Sequence, residues 1–295
     1  MSWLQLRLDA DPATASTLED ALLEIGAAAV TMEDNADHPV YEPGVGETPI
    51  WQHTRVTGLF TADADMPALL TELATLYDHA LPKYKIEILE DRDWIREWMD
   101  SYHPIQCGER LWICPSWREP VDPKAVNLLL DPGLAFGTGT HPTTWLCMQW
   151  LDQQNLKGLT VIDYGCGSGI LGIAALLLGA EKVIAIDNDP QALLATRDNA
   201  RRNNIADARI DCLLPEQIPD NLHGDMVVAN ILAGPLMSLA KNLAACLDGG
   251  APICLSGILH TQAEKLMSCY RQWFEHVSLT QKEEWVRISA NKLQH

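Results

Sequence analysis

The stretch Thr160-Val161-Ile162-Asp163-Tyr164-Gly165-Cys166-Gly167-Ser168-Gly169-Ile170-Leu171-Gly172 constrains the fold more tightly than any other part of the chain. An apolar strand runs into an acid, glycines follow at alternate positions, and an apolar helix begins at once. Such glycines permit positive φ and let a ligand approach the main chain closely. Strand, glycine turn and helix in this order open a βαβ unit. Val183-Ile184-Ala185-Ile186 supplies its second strand and ends at Asp187.

Beyond the glycine turn the pattern stays that of a parallel α/β sheet. Strands are expected at 159–163, 183–187, 209–213, 225–229 and 252–256, and helices at 169–179, 190–203, 235–247 and 261–273. Met226-Val227-Val228-Ala229 is a continuous apolar run, as a strand covered on both faces requires. The segments 274–280 and 284–290 are joined too tightly for a crossover and predict an antiparallel terminal hairpin. Asp189 reads as the N-cap of helix 190–203 and Pro190 as its first residue, with no chemistry assigned to either. Arg110–Cys114 and Val126–Leu130 predict a further strand pair. The expected fold class is α/β, a doubly wound Rossmann-like sheet in a domain spanning 105–295.

Residues 1–90 follow a different plan. Leu4, Leu6 and Leu8 alternate as a half-buried strand, and a helix from Asp11-Pro12 carries Leu18, Ala21, Leu22 and Ile25 up to Gly26. Strands at 28–32 and 55–60, a helix at 66–78 with Leu69, Leu70, Leu73 and Leu76 on its apolar side, and a strand at 84–89 through Ile86 and Ile88 complete the series. The order β-α-β-β-α-β predicts a small α+β, ferredoxin-like domain without clustered His, Cys or paired acids, and so a recognition module. Residues 91–104 read as a connecting helix ended by Pro104, in which Trp94 and Trp98 are packing residues.

The formal charge of −19 is uneven: residues 1–100 hold 20 Asp/Glu against 6 Lys/Arg. A phosphate backbone is repelled by such a segment and a basic protein attracted, although a merely solvated acidic surface has the same composition. The 8 cysteines form no C-x-x-C pair and read as reduced core thiols of a cytoplasmic protein. No membrane span, signal peptide or metal-ligand cluster is expected, and the chain reads as a monomer.

The glycine turn fits two nucleotide patterns. Gly167, Gly169 and Gly172 match the dinucleotide spacing; Gly165, Gly167 and Gly169 after Asp163 match that of S-adenosylmethionine-dependent methyltransferases. In a dinucleotide site the first glycine follows the strand directly, whereas Gly167 lies four residues past Asp163. A carboxylate at the strand tip repels a pyrophosphate in a low-dielectric crevice. S-adenosylmethionine has no phosphate and carries an ammonium that Asp163 can neutralise directly or through water. Asp187 can accept both ribose hydroxyls of either cofactor. The cofactor expected is S-adenosylmethionine, with a nicotinamide-dependent oxidoreductase as the alternative.

Asp131-Pro132-Gly133-Leu134-Ala135-Phe136-Gly137-Thr138-Gly139-Thr140-His141-Pro142-Thr143-Thr144 is the least ordinary segment. Pro142 begins a helix whose first turn, with Thr143 and Thr144, can meet a carboxylate through free N–H groups and a hydroxyl. Thr140 and His141 read as caps, and Phe136 is a candidate cover for the cofactor. Together with the glycine turn, Val227-Val228-Ala229-Asn230-Ile231-Leu232-Ala233-Gly234-Pro235, Glu97-Trp98-Met99 and Glu283-Glu284-Trp285, this segment resembles the family of bacterial class I methyltransferases that modify large-subunit ribosomal protein eleven. The resemblance covers nearly the whole chain. It implies a substrate-recognising N-terminal domain, trimethylation of the substrate's N-terminal α-amine and lysine ε-amines, and cofactor contacts at Thr144, Gly165, Asp187 and Asn230.

Asn230 occupies the strand end where amine and base methyltransferases often carry Asn/Asp-Pro-Pro-aromatic. Ile231 and Leu232 stand where that tetrapeptide has its prolines, and its aromatic is absent. A flat base would lack its stacking partner, which argues against direct action on nucleic acid. Asn230 is the candidate catalytic residue, set against a plain turn residue. The remaining alternatives are a small-molecule or nucleic-acid methyltransferase and a non-catalytic nucleoside-fold protein.

Overall fold

The structure, a computed structural model, describes residues 3–36, 50–77, 80–89, 102–131 and 139–294. The chain divides into two compact units, Met1–Met99 and Asp100–His295.

In the first unit β1 (Trp3–Ala10), α1 (Ala15–Glu24), β2 (Ala29–Asp34), β3 (Thr54–Thr61), α2 (Met66–Leu76) and β4 (Tyr84–Leu89) follow in order. The sheet runs β2-β3-β1-β4 with every pair antiparallel. Leu6, Leu8, Leu18, Leu22, Val56, Phe60 and Leu73 form its core. Helix α1 begins later than Asp11-Pro12 suggests, because Asp11 Oδ1 accepts the N–H groups of Ala13 and Thr14 and closes a turn ahead of it. Three apolar expectations fail: Leu76, Ile86 and Ile88 are exposed, Ile88 by 71%. Leu76 ends its helix, and Ile86 and Ile88 lie on an edge strand, where period-two patterning does not guarantee a cover. The connecting-helix residues 91–101, including Trp94 and Trp98, lie outside the described residues.

The second unit opens with β5 (Ile105–Gln106), β6 (Leu111–Cys114) and β7 (Val126–Leu129), a small sheet in which β5 is antiparallel and β7 parallel to β6. Helix α3 (Pro142–Asp152) follows. The main sheet is then built by β8 (Thr160–Tyr164), α4 (Ile170–Leu177), β9 (Lys182–Ile186), α5 (Pro190–Arg202), β10 (Ile210–Leu213), β11 (Met226–Asn230), α6 (Ala233–Ala245), β12 (Pro252–Leu259), α7 (Ala263–Tyr270), β13 (Phe274–Lys282) and β14 (Trp285–Lys292).

Its strand order is β10-β9-β8-β11-β12-β14-β13, parallel from β10 to β12, with β14 antiparallel to both β12 and β13. Side chains alternate between two cores. Val161 and Val228 face the cluster containing Met148, Leu171 and Leu193 of α3, α4 and α5, whereas Ile162 and Val227 face Leu236, Leu266 and Tyr270 of α6 and α7. Helices therefore cover both faces, and the strand order reverses between β8 and β11. Ligands of such sheets bind outside the carboxyl ends of the strands at this reversal. All 8 cysteines are free thiols; Cys147 and Cys254 bring their sulfurs to 3.9 Å without a bond.

Candidate active site

The carboxyl end of β8 leads straight into the glycine turn. Gly165 donates its N–H to Ile186 O at 2.7 Å and sits at φ 76°. A Cβ on Gly165 would overlap Ile231 Cγ2, just past the end of β11, so the two strand exits close on each other only if this residue is glycine. Gly169, at φ 78°, is the N-cap of α4 and is pressed against Thr196. Two carboxylates organise the turn from within. Asp187 Oδ2 accepts Gly167 N–H at 2.9 Å while its Oδ1 accepts Asp189 N–H at 3.0 Å. Asp163 Oδ2 accepts Gly172 N–H, in the first turn of α4, at 2.8 Å.

Asp163 is only 1% exposed. Burial pushes its carboxyl up to about 7, against the Gly172 hydrogen bond, which pulls it down; the nearby Asp187 raises it further. Through this oxygen Asp163 ties the end of β8 to the first turn of α4. A pyrophosphate here would find the amides of Gly167 and Gly172 already engaged by carboxyl oxygens and would meet the like charge of Asp187, which disfavours a dinucleotide.

A stripe on α5 that the sequence did not reveal as functional braces this turn. Thr196 and Asn199 are buried polar residues. Thr196 donates to Gly167 O at 3.0 Å and Asn199 Nδ2 to Ser168 O at 2.9 Å. One turn on, Asn203 accepts Leu129 N–H and donates to Leu129 O, at 2.7 and 2.8 Å, continuing the edge of β7. The spacing of 196, 199 and 203 is helical, so the signal was present; on a polar helix it reads as a solvated face until the partners are known.

The other wall is the first turn of α3. His141 caps the helix, its Nδ1 accepting from Thr143 N–H, with the Thr143 hydroxyl 2.8 Å away. Burial lowers the His141 pKa against the opposing pull of Glu284 and Glu283. Trp285 meets the His141 ring edge-on, with centroids 4.8 Å apart. Thr144 is fully buried, and its Oγ1 accepts from Asn230 Nδ2 at 3.3 Å. Asn230 Oδ1 is buried with no hydrogen-bond partner among the described residues. Gly257, at φ 84° inside β12, backs this corner: any Cβ there would strike the main chain of Ile231. A glycine within a strand marks such a close approach, but not what approaches it.

The structure therefore brings Thr144, Gly165 and Asn230 to the reversal between β8 and β11, and Asp187 onto Gly167 beside them. Phe136 lies outside the described residues. Among the described residues there is no group of three His, Cys, Asp or Glu side chains able to hold a metal ion, and no helix is long and apolar enough to cross a membrane.

Comparison with known proteins bears on the same geometry. Residues 2–293 match the profile of the family described as "Ribosomal protein L11 methyltransferase (PrmA)". A ribosomal protein L11 methyltransferase of Cellvibrio japonicus is 54% identical over 292 residues, 99% of each chain. One from Aeromonas hydrophila is 55% identical over 293 residues, 99% of this chain and 100% of that protein. A crystal structure of ribosomal protein L11 methylase from Lactobacillus delbrueckii subsp. bulgaricus superposes with a TM-score of 0.58 at 33% identity, covering 65% of this chain and 100% of that one. The main sheet accordingly has the class I methyltransferase fold, and with full-length relatives above half identity the chain belongs to the ribosomal protein L11 methyltransferase family.

Proposed function

We propose that this protein transfers methyl groups from S-adenosylmethionine to amines of ribosomal protein L11, the N-terminal α-amine and lysine ε-amines. The observation that carries this reading is the corner formed by Thr144 and Asn230, where a buried side-chain carbonyl oxygen at the strand reversal has no donor among the described residues. An orphaned acceptor of that kind fits a ligand rich in N–H groups, and both the cofactor's methionine moiety and an acceptor amine are such ligands. The glycine turn fits the remainder: close main-chain approach at Gly165, Gly167 and Gly169, and Asp187 with lone pairs left for ribose hydroxyls.

The chemistry supplied by the bound cofactor is an electrophilic sulfonium methyl. The chain's own task is to align an amine lone pair with it and to keep water out. An amine must arrive neutral: deprotonation at pH 7 costs roughly 4.6 kcal/mol for a lysine and about 1 kcal/mol for an α-amine. Desolvation between α3 and the strand tips lowers an ammonium pKa and supplies part of that difference. Asn230 Oδ1 accepts an amine N–H, turning the lone pair away from itself, while Thr144 fixes the carboxamide. Asp163 acts behind the glycine turn, keeping α4 in place.

The acidic ferredoxin-like unit, residues 1–90, is assigned to substrate recognition and 91–104 to a linker ahead of the methyltransferase domain, 105–295. Its negative charge suits a basic ribosomal protein and repels free nucleic acid. The reading places the protein in the cytoplasm as a monomer, without membrane or direct nucleic-acid contact. Incubation with labelled S-adenosylmethionine, purified L11 and ribosomal RNA tests it: label is expected on L11, and label appearing only in RNA would reject it.

A further inference from the structure

Along α3, from Trp145 to its C-terminal end, lies a cavity of about 690 Å³ that the reaction just described does not use. One wall is a stripe of α3, Trp145, Gln149, Asp152 and Gln153, spaced as one helix face; the other is Gln106 on β5 and the 108–110 turn. The walls are tied together. Trp145 Nε1 donates to Gln106 O at 3.0 Å, and Asp152 Oδ2 accepts the N–H groups of Glu109 and Arg110 at 2.7 and 3.3 Å. A Cβ on Gly108 would overlap the Asp152 carboxylate, so the turn hugs that residue.

Polar groups are left over on this frame. Asp152 is 6% exposed, and its Oδ1 has no hydrogen bond, only an ion pair 3.3 Å from Arg110 Nε. Gln106, Gln149 and Gln153 are among the lining residues, Gln106 and Gln153 exposed and Gln149 half-buried. Each carboxamide offers a donor and an acceptor, as a peptide group does. At its Trp145 end the cavity neighbours the methyl-transfer corner through residue contacts. Trp145 follows Thr144 directly, Lys282 Nζ stands 4.0 Å over the Trp145 ring, and β14, which starts past the turn after Lys282, opens with Trp285, which meets the His141 ring.

We propose that this groove takes the extended polypeptide flanking the methylated amine and reads its main chain instead of its side chains; the inference rests on the protein-amine reading above. From Trp145 to Gln153 the helix rises roughly 12 Å, the reach of about four extended residues. The three carboxamides match backbone N–H and C=O groups of any sequence. Differently flanked amines, an N-terminus and internal lysines, can therefore use one corner.

The test uses the full-length enzyme, the triple variant Gln106→Ala/Gln149→Ala/Gln153→Ala and the groove-filling Gln149→Trp. Acceptors are intact L11, a ten-residue lysine peptide from its N-terminus, and the same peptide cut to two residues. Both variants are expected to raise KM for the ten-residue peptide at least 10-fold, leaving kcat, cofactor affinity and the dipeptide KM at wild-type values. A wild-type KM for the long peptide in both variants would overturn the proposal, as would equal losses for both lengths. Peptides that fail as acceptors while intact L11 succeeds would overturn it too, because an extended flank would then carry no recognition. Wild-type enzyme inert toward intact L11 marks instead the failure of the functional reading, and the groove's role falls with it.

Discussion

Asn230 Nδ2 donates to Thr144 Oγ1 at 3.3 Å, fastening the tip of β11 to the first turn of α3, and its own carbonyl oxygen stays buried without a donor among the described residues. A buried acceptor left unpaired costs about 1–3 kcal/mol. A bound N–H group recovers that energy, so the corner is poised for a ligand.

Asn230→Ala is expected to lower kcat/KM for L11 about 100-fold, or roughly 2.7 kcal/mol of transition-state stabilisation. Thr144→Val, which frees the carboxamide to rotate, is expected to lower it by about 10-fold. Methyl incorporation at saturating cofactor reads both, and an unchanged rate in Asn230→Ala removes that residue from the reaction.

Asp187 satisfies two main-chain N–H groups with separate oxygens. Asp187→Asn has one acceptor oxygen, so Gly167 or Asp189 loses its partner and a ribose hydroxyl loses its anion. Calorimetric titration is expected to show S-adenosylmethionine bound roughly 10- to 100-fold more weakly. Wild-type affinity would place the nucleoside elsewhere.

Asp163 makes stability pH-dependent. Its carboxyl titrates near 3.8 when solvated and at about 7 in the fold. Below pH 3.8 it is protonated in both states; between the two values the unfolded chain has lost its proton and the fold retains it. Stability must therefore fall as pH rises through this window, by roughly 4 kcal/mol once the folded carboxyl ionises. Asp163→Asn keeps an acceptor for Gly172 and removes the titration. Relative to wild type, the variant's Tm is expected to rise between pH 5 and pH 8; a constant difference would show that Asp163 does not titrate there.

Gly165→Ala introduces a side chain at positive φ and against Ile231 Cγ2. The left-handed conformation alone costs about 1 kcal/mol, and overpacking adds about 1–3 kcal/mol. Urea unfolding should show both losses, with Ile231→Ala recovering only the second. Full recovery in the double variant would mean that the backbone is not strained.

Asn199→Ala leaves Ser168 O without its donor. A loss of about 1–3 kcal/mol is expected, with weaker cofactor binding and unchanged kcat at saturation. A lowered kcat with normal affinity would contradict a bracing role.

The βαβ opening was legible because the residues that define it are neighbours: strand, glycines and helix occupy one short stretch, and their period and φ requirements are local. Thr144 was also visible, as a polar residue in a helix's first turn. Thr196, Asn199 and Asn203 were not, because a polar helix stripe looks solvated until its partners are placed. Asp163 was read as a ligand group from its strand-end position; what the sequence did not show is that one of its oxygens accepts Gly172 N–H. Leu76, Ile86 and Ile88 carry the right period and still face solvent, since periodicity chooses a face but does not cover it.

By itself, then, the sequence determined the α/β class, the glycine turn and its two acids, and family membership, all of which rest on local geometry or on whole-chain likeness. Only the tertiary structure decided that Thr144 and Asn230 share a hydrogen bond and that Gly165 must stay bare against Ile231. It also decided that α5 braces the turn and that Gln106 of β5 shares one cavity with Gln149 and Gln153. These are contacts between residues far apart along the chain, and their partners are fixed by the strand order and the packing of helices on the sheet, which no stretch of sequence encodes alone.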